Sequence, residues 1–433
     1  MTASDDPDVL VIGGGVAGLF CAYFLRLGGA RVAVVERGQV GGPQSCSYGN
    51  TGFVGTQGTT PLAEPGVMTQ GLRWLLDSES PFYIKPRMDS DLLAWLWCFR
   101  GYCTPEAALA GSRVLLELKR HSMRILRELC DGDDSFAGCL LRSGMLVAYR
   151  TMAAFARARE SVPAARLAGI PLRVLSATDL AGLDPGTRFA VAGAVLNEEG
   201  AYLRVPEFVS KLGELLARMS VAVHEHTEVT GFDEAGGQVL RVRTTRGDFS
   251  PGEVIVAAGA WSARCVRGLG VRLKLQPAKG YTVTVRTPAG APRLPVLLSE
   301  GKVAVAPFGE TVRFGGTLEL SGFSAAGLNT GISRRRVAGI EQTVRSYLPQ
   351  LGQAETVATW SGLRSCAPDG LPLTGRVPRY RNLSVCCGHS HIGLGLAPAT
   401  GLLMAQLISG ASGAGDGIDP APLRVGRFGG GWR

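Results

Sequence analysis

The sequence contains no uninterrupted apolar stretch of ~18 residues, the length a helix needs to cross a bilayer, so no membrane span is expected. It is also poor in charge. Only 19% of its 433 residues are Asp, Glu, Lys or Arg, against 45% hydrophobic. Such a chain can bury enough apolar surface to fold, which excludes disorder as its main state. Lysine is nearly missing, with six against 39 arginines. The net charge of +9 then reads as a whole-chain arginine bias. No zinc finger, basic arm or aromatic-interleaved basic strand accompanies it, so no nucleic-acid partner is expected. The ten cysteines form no Cys-x-x-Cys pair. In a chain this long they read as reduced, largely buried thiols of a cytoplasmic protein. His224 and His226 alternate along one segment without a third ligand, so no metal site is expected. The acidic start, MTASDDPD, lacks the pattern of a secretory signal.

Glycine is what the chain has in excess. Its 60 glycines are about twice the usual ~7% share and follow no period, so they belong to turns and close approaches. The length exceeds what one hydrophobic core serves, near ~250–300 residues. Two intergrown domains are expected. Residues 8–12 (DVLVI) and 31–36 (RVAVVE) are continuous apolar runs of the kind found in parallel strands buried on both faces. Between them a glycine turn leads into a helix from Val16 to Leu27, giving a β-α-β unit. Residues 41–66 read as long loops, and 70–130 as mostly helical. Strands are expected at 143–150, 192–197, 279–286, 302–307 and 311–319, with a turn at Lys279-Gly280. Helices are expected at Val205–Met219, Ser333–Leu348 and from Pro398 onward. The Gly-rich segment after Gly410 is expected to fray. Leu92–Phe99 (LLAWLWCF) reads as a buried helix face, with contact to a lipid surface as the alternative.

The motif carrying most chemistry is Gly13-x-Gly15-x-x-Gly18, set between strand and helix. Gly13 permits the tight turn, Gly15 lets a pyrophosphate reach the backbone, and Gly18 lets helix and strand pack closely. The free N–H groups of the helix start then face the phosphates. Glu36 closes the second strand, where a carboxylate accepts both ribose hydroxyl protons and repels a 2′-phosphate. Downstream, VIVAAGAW (254–261) is a buried strand ending in Ala-Gly. SGLRSCAPDGLPLTGR (361–376) and CGHSHIGLGLAPATG (387–401) supply a second helix start among glycines. Its positive end suits negative charge near N1–C2=O of a reduced flavin.

Together these stretches, with SYGNTG, PAKGYTVTV and VAVAPFGETVRFGGTLELSGF, resemble the FAD-dependent D-amino-acid dehydrogenase family, within the glycine/D-amino-acid oxidase superfamily. The resemblance runs from residue 9 to about 410. It implies an α/β fold in which a Rossmann-like FAD-binding domain interleaves with an α+β substrate domain having a mixed β-sheet. The expected divisions are 1–58, 204–268 and 358–416 for the first, 59–203 and 269–357 for the second, and 417–433 as a C-terminal tail. Non-covalent FAD would be held by Gly13, Gly15, Val16, Ala17, Gly18, Glu36 and Arg37, by Ser45, Ser47, Asn50, Thr51 and Gly52, by Val229, Ala258 and Gly259, and by Gly362, Gly388, His389, Ile392, Gly393 and Leu394. Arg364 and Tyr281 would fix a substrate carboxylate, and His391 would serve as a base or donor. Tyr48 and Tyr83 are candidates for an aromatic wall. Cys366 is weighed as a covalent flavin link and set aside. Ser365, Cys366, Ser390 and His391 depart from the family pattern where substrate should sit.

The activity implied is oxidation of a D-amino acid at its Cα–N bond by hydride transfer to FAD. The product is an imino acid, then a 2-oxo acid and ammonia, with electrons passed to a quinone or other acceptor. Alternatives are a D-proline or hydroxyproline dehydrogenase, an oxidase using oxygen, or a non-catalytic flavin scaffold or relay subunit. The protein is expected in the cytoplasm, with peripheral contact at the inner face of the cell membrane left open.

Overall fold

The computed structural model describes residues 6–67, 82–85, 87–323, 331–410 and 417–429. The four β-branched and leucine residues Val9–Ile12 form a strand buried on both faces. Parallel strands Val32–Val35 and Glu253–Val256 flank it. The six-stranded sheet runs Ala222–His224, Val32–Val35, Val9–Ile12, Glu253–Val256, Leu383–Cys387 and Leu373–Arg376, the last antiparallel to its neighbour. The opening helix Val16–Leu27 packs Leu19, Phe20, Ala22 and Leu25 inward. Full burial of each large apolar side chain contributes about 1.5–3 kcal/mol. The closing helix Gly393–Ser409 crosses it so tightly that a Cβ at Gly401 would lie 2.7 Å from Phe20.

The second sheet has ten strands and mixed direction. In order they are His389–Ser390, Thr356–Cys366, Gln276–Arg286, Thr311–Leu320, Val303–Pro307, Val296–Leu298, Met145–Tyr149, Gly193–Asn197 and Leu172–Ser176, with Phe82–Ile84 parallel to the end of Thr311–Leu320. The pair Val296–Leu298 and Met145–Tyr149 is also parallel. Both sheets therefore draw on segments scattered through the chain. An α/β fold with two interleaved sheets is what the sequence led us to expect.

Four expectations change. A domain boundary between 357 and 358 would cut the strand Thr356–Cys366, which lies wholly in the large sheet. Lys279 and Gly280 are not a turn, because both lie inside the strand Gln276–Arg286, where Lys279 pairs with Leu363 and Glu319 and Gly280 pairs with Gly362 at a register shift on its other side. The closing helix starts at Gly393, so Pro398 lies within it rather than at its start. The segment 417–429 packs instead of fraying: Leu423 and Val425 are buried, and Arg427 forms a buried ion pair with Asp369 at 2.6 Å.

Residues 90–132 are helical as expected, in two helices, Ser90–Tyr102 and Pro105–Gly132. The expected helix over 70–81 lies outside the described residues. Within Leu92–Phe99, Leu92, Trp95 and Phe99 face the core, while Leu93 and Trp97 face solvent, the latter 76% exposed. Among the described residues no helix is long and apolar enough to cross a membrane.

Candidate active site

A cavity of about 1660 Å³ opens where the C-terminal ends of the parallel strands meet the large sheet. That position is the usual ligand crevice of an open α/β sheet. The volume exceeds the ~300–1,000 Å³ that one small ligand requires.

One part of the lining is built by the fingerprint. Gly13, Gly15, Val16 and Ala17 border the cavity, as do Glu36 and Arg37. The opening helix has no side-chain N-cap, although Ser47 Oγ accepts from the N–H of Val16 at 3.2 Å. Only the hydroxyls of Ser45 and Ser47, each 3.8 Å away, would meet a Cβ at Gly15. The Glu36 carboxylate accepts the N–H of Gly14 at 2.7 Å and that of Gly38 at 2.8 Å. These bonds fix it at the cavity edge. Val229, Ala258 and Gly259 lie on the same cavity. Trp261 joins them, with the Arg37 guanidinium 4.7 Å from its ring.

A second part gathers Ser45, Cys46, Ser47, Asn50 and Thr51, the loop from Gly388 to Leu394, and Arg364. The closing helix, like the opening one, has no side-chain N-cap. Two helix starts whose N-cap residues offer no side-chain bond thus face one cavity, and each favours negative charge there. A dinucleotide with a reducible ring fits this donor set: amides for phosphates, a carboxylate for ribose, and a positive helix end for the ring.

Arg364 is half-buried on the strand Thr356–Cys366. Its guanidinium lies flat over Gly280 of the neighbouring strand, where a Cβ would come within 2.3 Å of Cζ. It donates to the carbonyl of Thr317. Among the described residues it has no carboxylate partner. Asp369, five residues further along the chain, is held by Arg427 instead. Burial lowers the Arg364 pKa from its ordinary value, but a guanidinium stays charged. His391 opens onto the cavity and is enclosed by the cavity walls. Burial beneath the surrounding protein, with Arg364, Lys119 and Lys302 nearby, pushes its pKa down to about 3, so the imidazole is neutral. His389 is buried, with Nε2 2.9 Å from the hydroxyl of Thr400.

Four expected site residues stand off the cavity. Tyr281 is the main correction. Successive strand residues face opposite ways, and Thr282 lines the cavity. Tyr281 therefore points into the core behind the sheet, where its hydroxyl donates to Glu319 at 2.9 Å. Gly18 sits behind the turn, where a Cβ would lie 1.9 Å from the carbonyl oxygen of Gly13. The Gly52 carbonyl accepts the N–H of Leu203 at 2.8 Å, its own N–H goes to Asn50 Oδ1 at 2.8 Å, and a Cβ on it would lie 2.2 Å from the carbonyl oxygen of Leu203. Gly362 is covered by the Trp360 indole, 2.2 Å from where a Cβ would stand.

Tyr48 and Tyr83 do not line the cavity either. They pack against Arg313 and Arg336 respectively. Trp360 supplies the aromatic surface instead. Cys366 is buried in a separate apolar cluster with Trp95 and Phe99, its thiol pushed up to about 11 by burial. The sequence reading missed Lys119, Lys302, Trp360 and Cys46, all on the cavity.

The family model described as FAD dependent oxidoreductase matches residues 8–407. A D-amino acid dehydrogenase of Granulibacter bethesdensis is 30% identical over 431 residues, covering 98% of this chain and 100% of that protein. A D-amino acid dehydrogenase of Vibrio vulnificus is 30% identical, covering 93% of this chain and 95% of its own. The glycine oxidase structure from Geobacillus kaustophilus superposes with a TM-score of 0.77 at 25% identity, covering 98% of this chain and 99% of that one. A family match across nearly the whole chain joins a cavity with two helix starts, a fixed carboxylate and room for a dinucleotide; the chain belongs to the FAD dependent oxidoreductase family, as an enzyme with FAD as its cofactor.

Proposed function

We propose that this enzyme oxidises a D-amino acid at the Cα–N bond and passes the electrons to a quinone or another acceptor. The observation that carries the reading is Arg364: a charged fork on the cavity, unpaired with any described carboxylate, above a glycine that leaves it room. A planar guanidinium binds a carboxylate through two parallel hydrogen bonds. Each charged hydrogen bond contributes about 1.5–3 kcal/mol. The relatives named D-amino acid dehydrogenase support the choice of the D series.

FAD supplies the hydride acceptor when bound. The chain's own residues supply position and electrostatics. The backbone amides of Gly15 and Ala17 would hold the pyrophosphate, with Gly13 and Val16, whose own N–H groups go to the Val35 carbonyl and Ser47 Oγ, bordering it, and Glu36 would hold the adenosine ribose. The loop Ser45–Thr51 and the turn Gly388–Leu394, which line the cavity, would enclose the ring. Arg364 fixes the α-carboxylate and so sets where Cα–H points. His391, neutral across the physiological range, lines the substrate end without adding charge. The substrate ammonium loses a proton before transfer, and the imino acid that leaves is hydrolysed in water.

The exposed Leu93 and Trp97, with Met88 just ahead of them, support peripheral contact with a membrane surface, where quinone acceptors reside. The test is anaerobic bleaching of the flavin by D- and L-amino acids, glycine and hydroxyproline epimers, followed by air and then a quinone analogue. Bleaching by D-amino acids that quinone reverses faster than air is expected. Fast reoxidation by air would make the enzyme an oxidase. Bleaching by hydroxyproline alone would replace the substrate, and no bleaching by any amine would overturn the reading.

A further inference from the structure

One buried cation has no part in that scheme. Lys119 lies in mid-helix on Pro105–Gly132, is 4% exposed, and borders the cavity. Its ammonium donates to the carbonyls of Gln57 and Gly58, the latter at 2.9 Å. Among the described residues it has no carboxylate partner. Its Cε is 4.0 Å from where a Cβ of Gly395 would stand, in the first turn of the closing helix. That helix carries no acidic residue in its first turn and no side-chain cap. Two sources of positive potential, a helix start and an ammonium, therefore meet at one end of the cavity.

Burying a cation without a counter-charge is costly, and the group responds by losing its proton more easily. Burial lowers Lys119 to about 7. A neutral donor would staple the 57–58 carbonyls without that cost. A lysine poised near neutrality responds to any negative charge arriving beside it by taking up a proton.

We propose that Lys119 is the charge-compensating residue of the bound FAD, taking a proton from solvent when reduction places negative charge at this end of the cavity and releasing it on reoxidation. This rests on the reading that reduction of FAD occurs here. The balance is simple. Hydride brings two electrons and one proton and leaves one net negative charge. Protonation of the Lys119 amine offsets that charge with one further proton, which departs when the two electrons go to the acceptor.

Three other basic side chains on this cavity do not substitute. His391 is neutral until strongly acid pH, Arg364 is always charged, and Lys302 is exposed at the mouth. Glu64 makes no described ion pair with Lys119, and the closing helix has no charged side chain.

The experiment is equilibrium reduction of the flavin-loaded protein by a dye-coupled chemical reductant between pH 5.5 and 9, with no amino acid present. In the wild type, proton uptake should rise from one to two protons per two electrons as pH passes about 7. Lys119→Met should take up one proton throughout. Lys119→Arg should also take up one, with a reduction equilibrium at least tenfold more favourable than Met, about 30 mV for a two-electron couple. One proton at every pH in the wild type overturns the proposal, whether or not the variants fold. Purified protein without flavin overturns the functional reading instead, and a flavoprotein that D-amino acids fail to bleach but that shows the two-proton range leaves Lys119's role standing.

Discussion

Gly280→Ala is the sharpest probe of how the substrate is held. The added methyl would lie 2.3 Å from Arg364 Cζ and 2.5 and 2.6 Å from its two terminal nitrogens. These are the far end of a flexible side chain, so the guanidinium moves and the strand stays. Gly280 does not occupy the left-handed region, and alanine there even reduces the freedom of the unfolded chain. Stability should change by less than about 1 kcal/mol. Binding should not survive so well. Losing one charged hydrogen bond costs about 1.5–3 kcal/mol, which is roughly 10- to 150-fold in kcat/KM. Arg364→Leu should cost at least as much. The two changes act through one group, so Gly280→Ala on the Arg364→Leu background should add almost nothing. The assay is steady-state dye reduction by a bleaching-competent amino acid, with all four proteins compared at equal flavin content. If Gly280→Ala keeps kcat/KM within twofold while Arg364→Leu loses a hundredfold, the guanidinium is not held where the glycine places it, and the assignment of its geometry fails.

Other outcomes follow from the same contacts. Tyr281→Phe should leave KM within about twofold and lower stability by about 1.5–3 kcal/mol, the worth of its bond to the Glu319 carboxylate. Arg427→Ala breaks a buried pair and should destabilise by about 3–5 kcal/mol in denaturant titration, whereas Arg31→Ala, in an exposed pair with Asp8, should cost about 0–1 kcal/mol. Lys119 has its pKa lowered to about 7 in the fold against 10.5 in the unfolded chain, so the unfolded state binds more protons between those values. Its contribution makes apoprotein stability rise with pH through that window, by at most about 1.4 kcal/mol per pH unit, and go flat below it. Lys119→Met should remove that slope, read as the difference between the two stability–pH curves. Trp97→Ser with Leu93→Ser should release the protein from anionic vesicles without altering dye-linked activity in solution; undiminished sedimentation with vesicles would put membrane contact elsewhere.

What the sequence disclosed and what it concealed divide by the distance over which each feature is decided. The β-α-β unit was legible because its strand, glycines, helix and Glu36 lie within 30 residues of one another, and each is set by local chemistry. Arg364 was legible through a motif, but its room was not. Gly280 lies 84 positions earlier and meets it only through the register Gly280↔Gly362 and Ala278↔Arg364. Tyr281 failed for a related reason. A Lys-Gly pair looks like a turn, yet here it is strand, and parity then sends the tyrosine away from the cavity and toward Glu319.

Lys119 left a signal that went unread. It stands four residues after Leu115 and three before Ser122, on the same buried stripe as Leu118 and Leu126. A lysine inside an apolar stripe is a conflict between local pattern and burial, and such conflicts persist where something else offsets them. Its carbonyl partners lie 61 and 62 residues upstream, and its helix-start neighbour lies beyond residue 390. No window of sequence contains all three. The amphipathic pattern that made the helix easy to place was also what hid the exception within it. The fold brings that exception to the cavity in which the proposed charge compensation would take place.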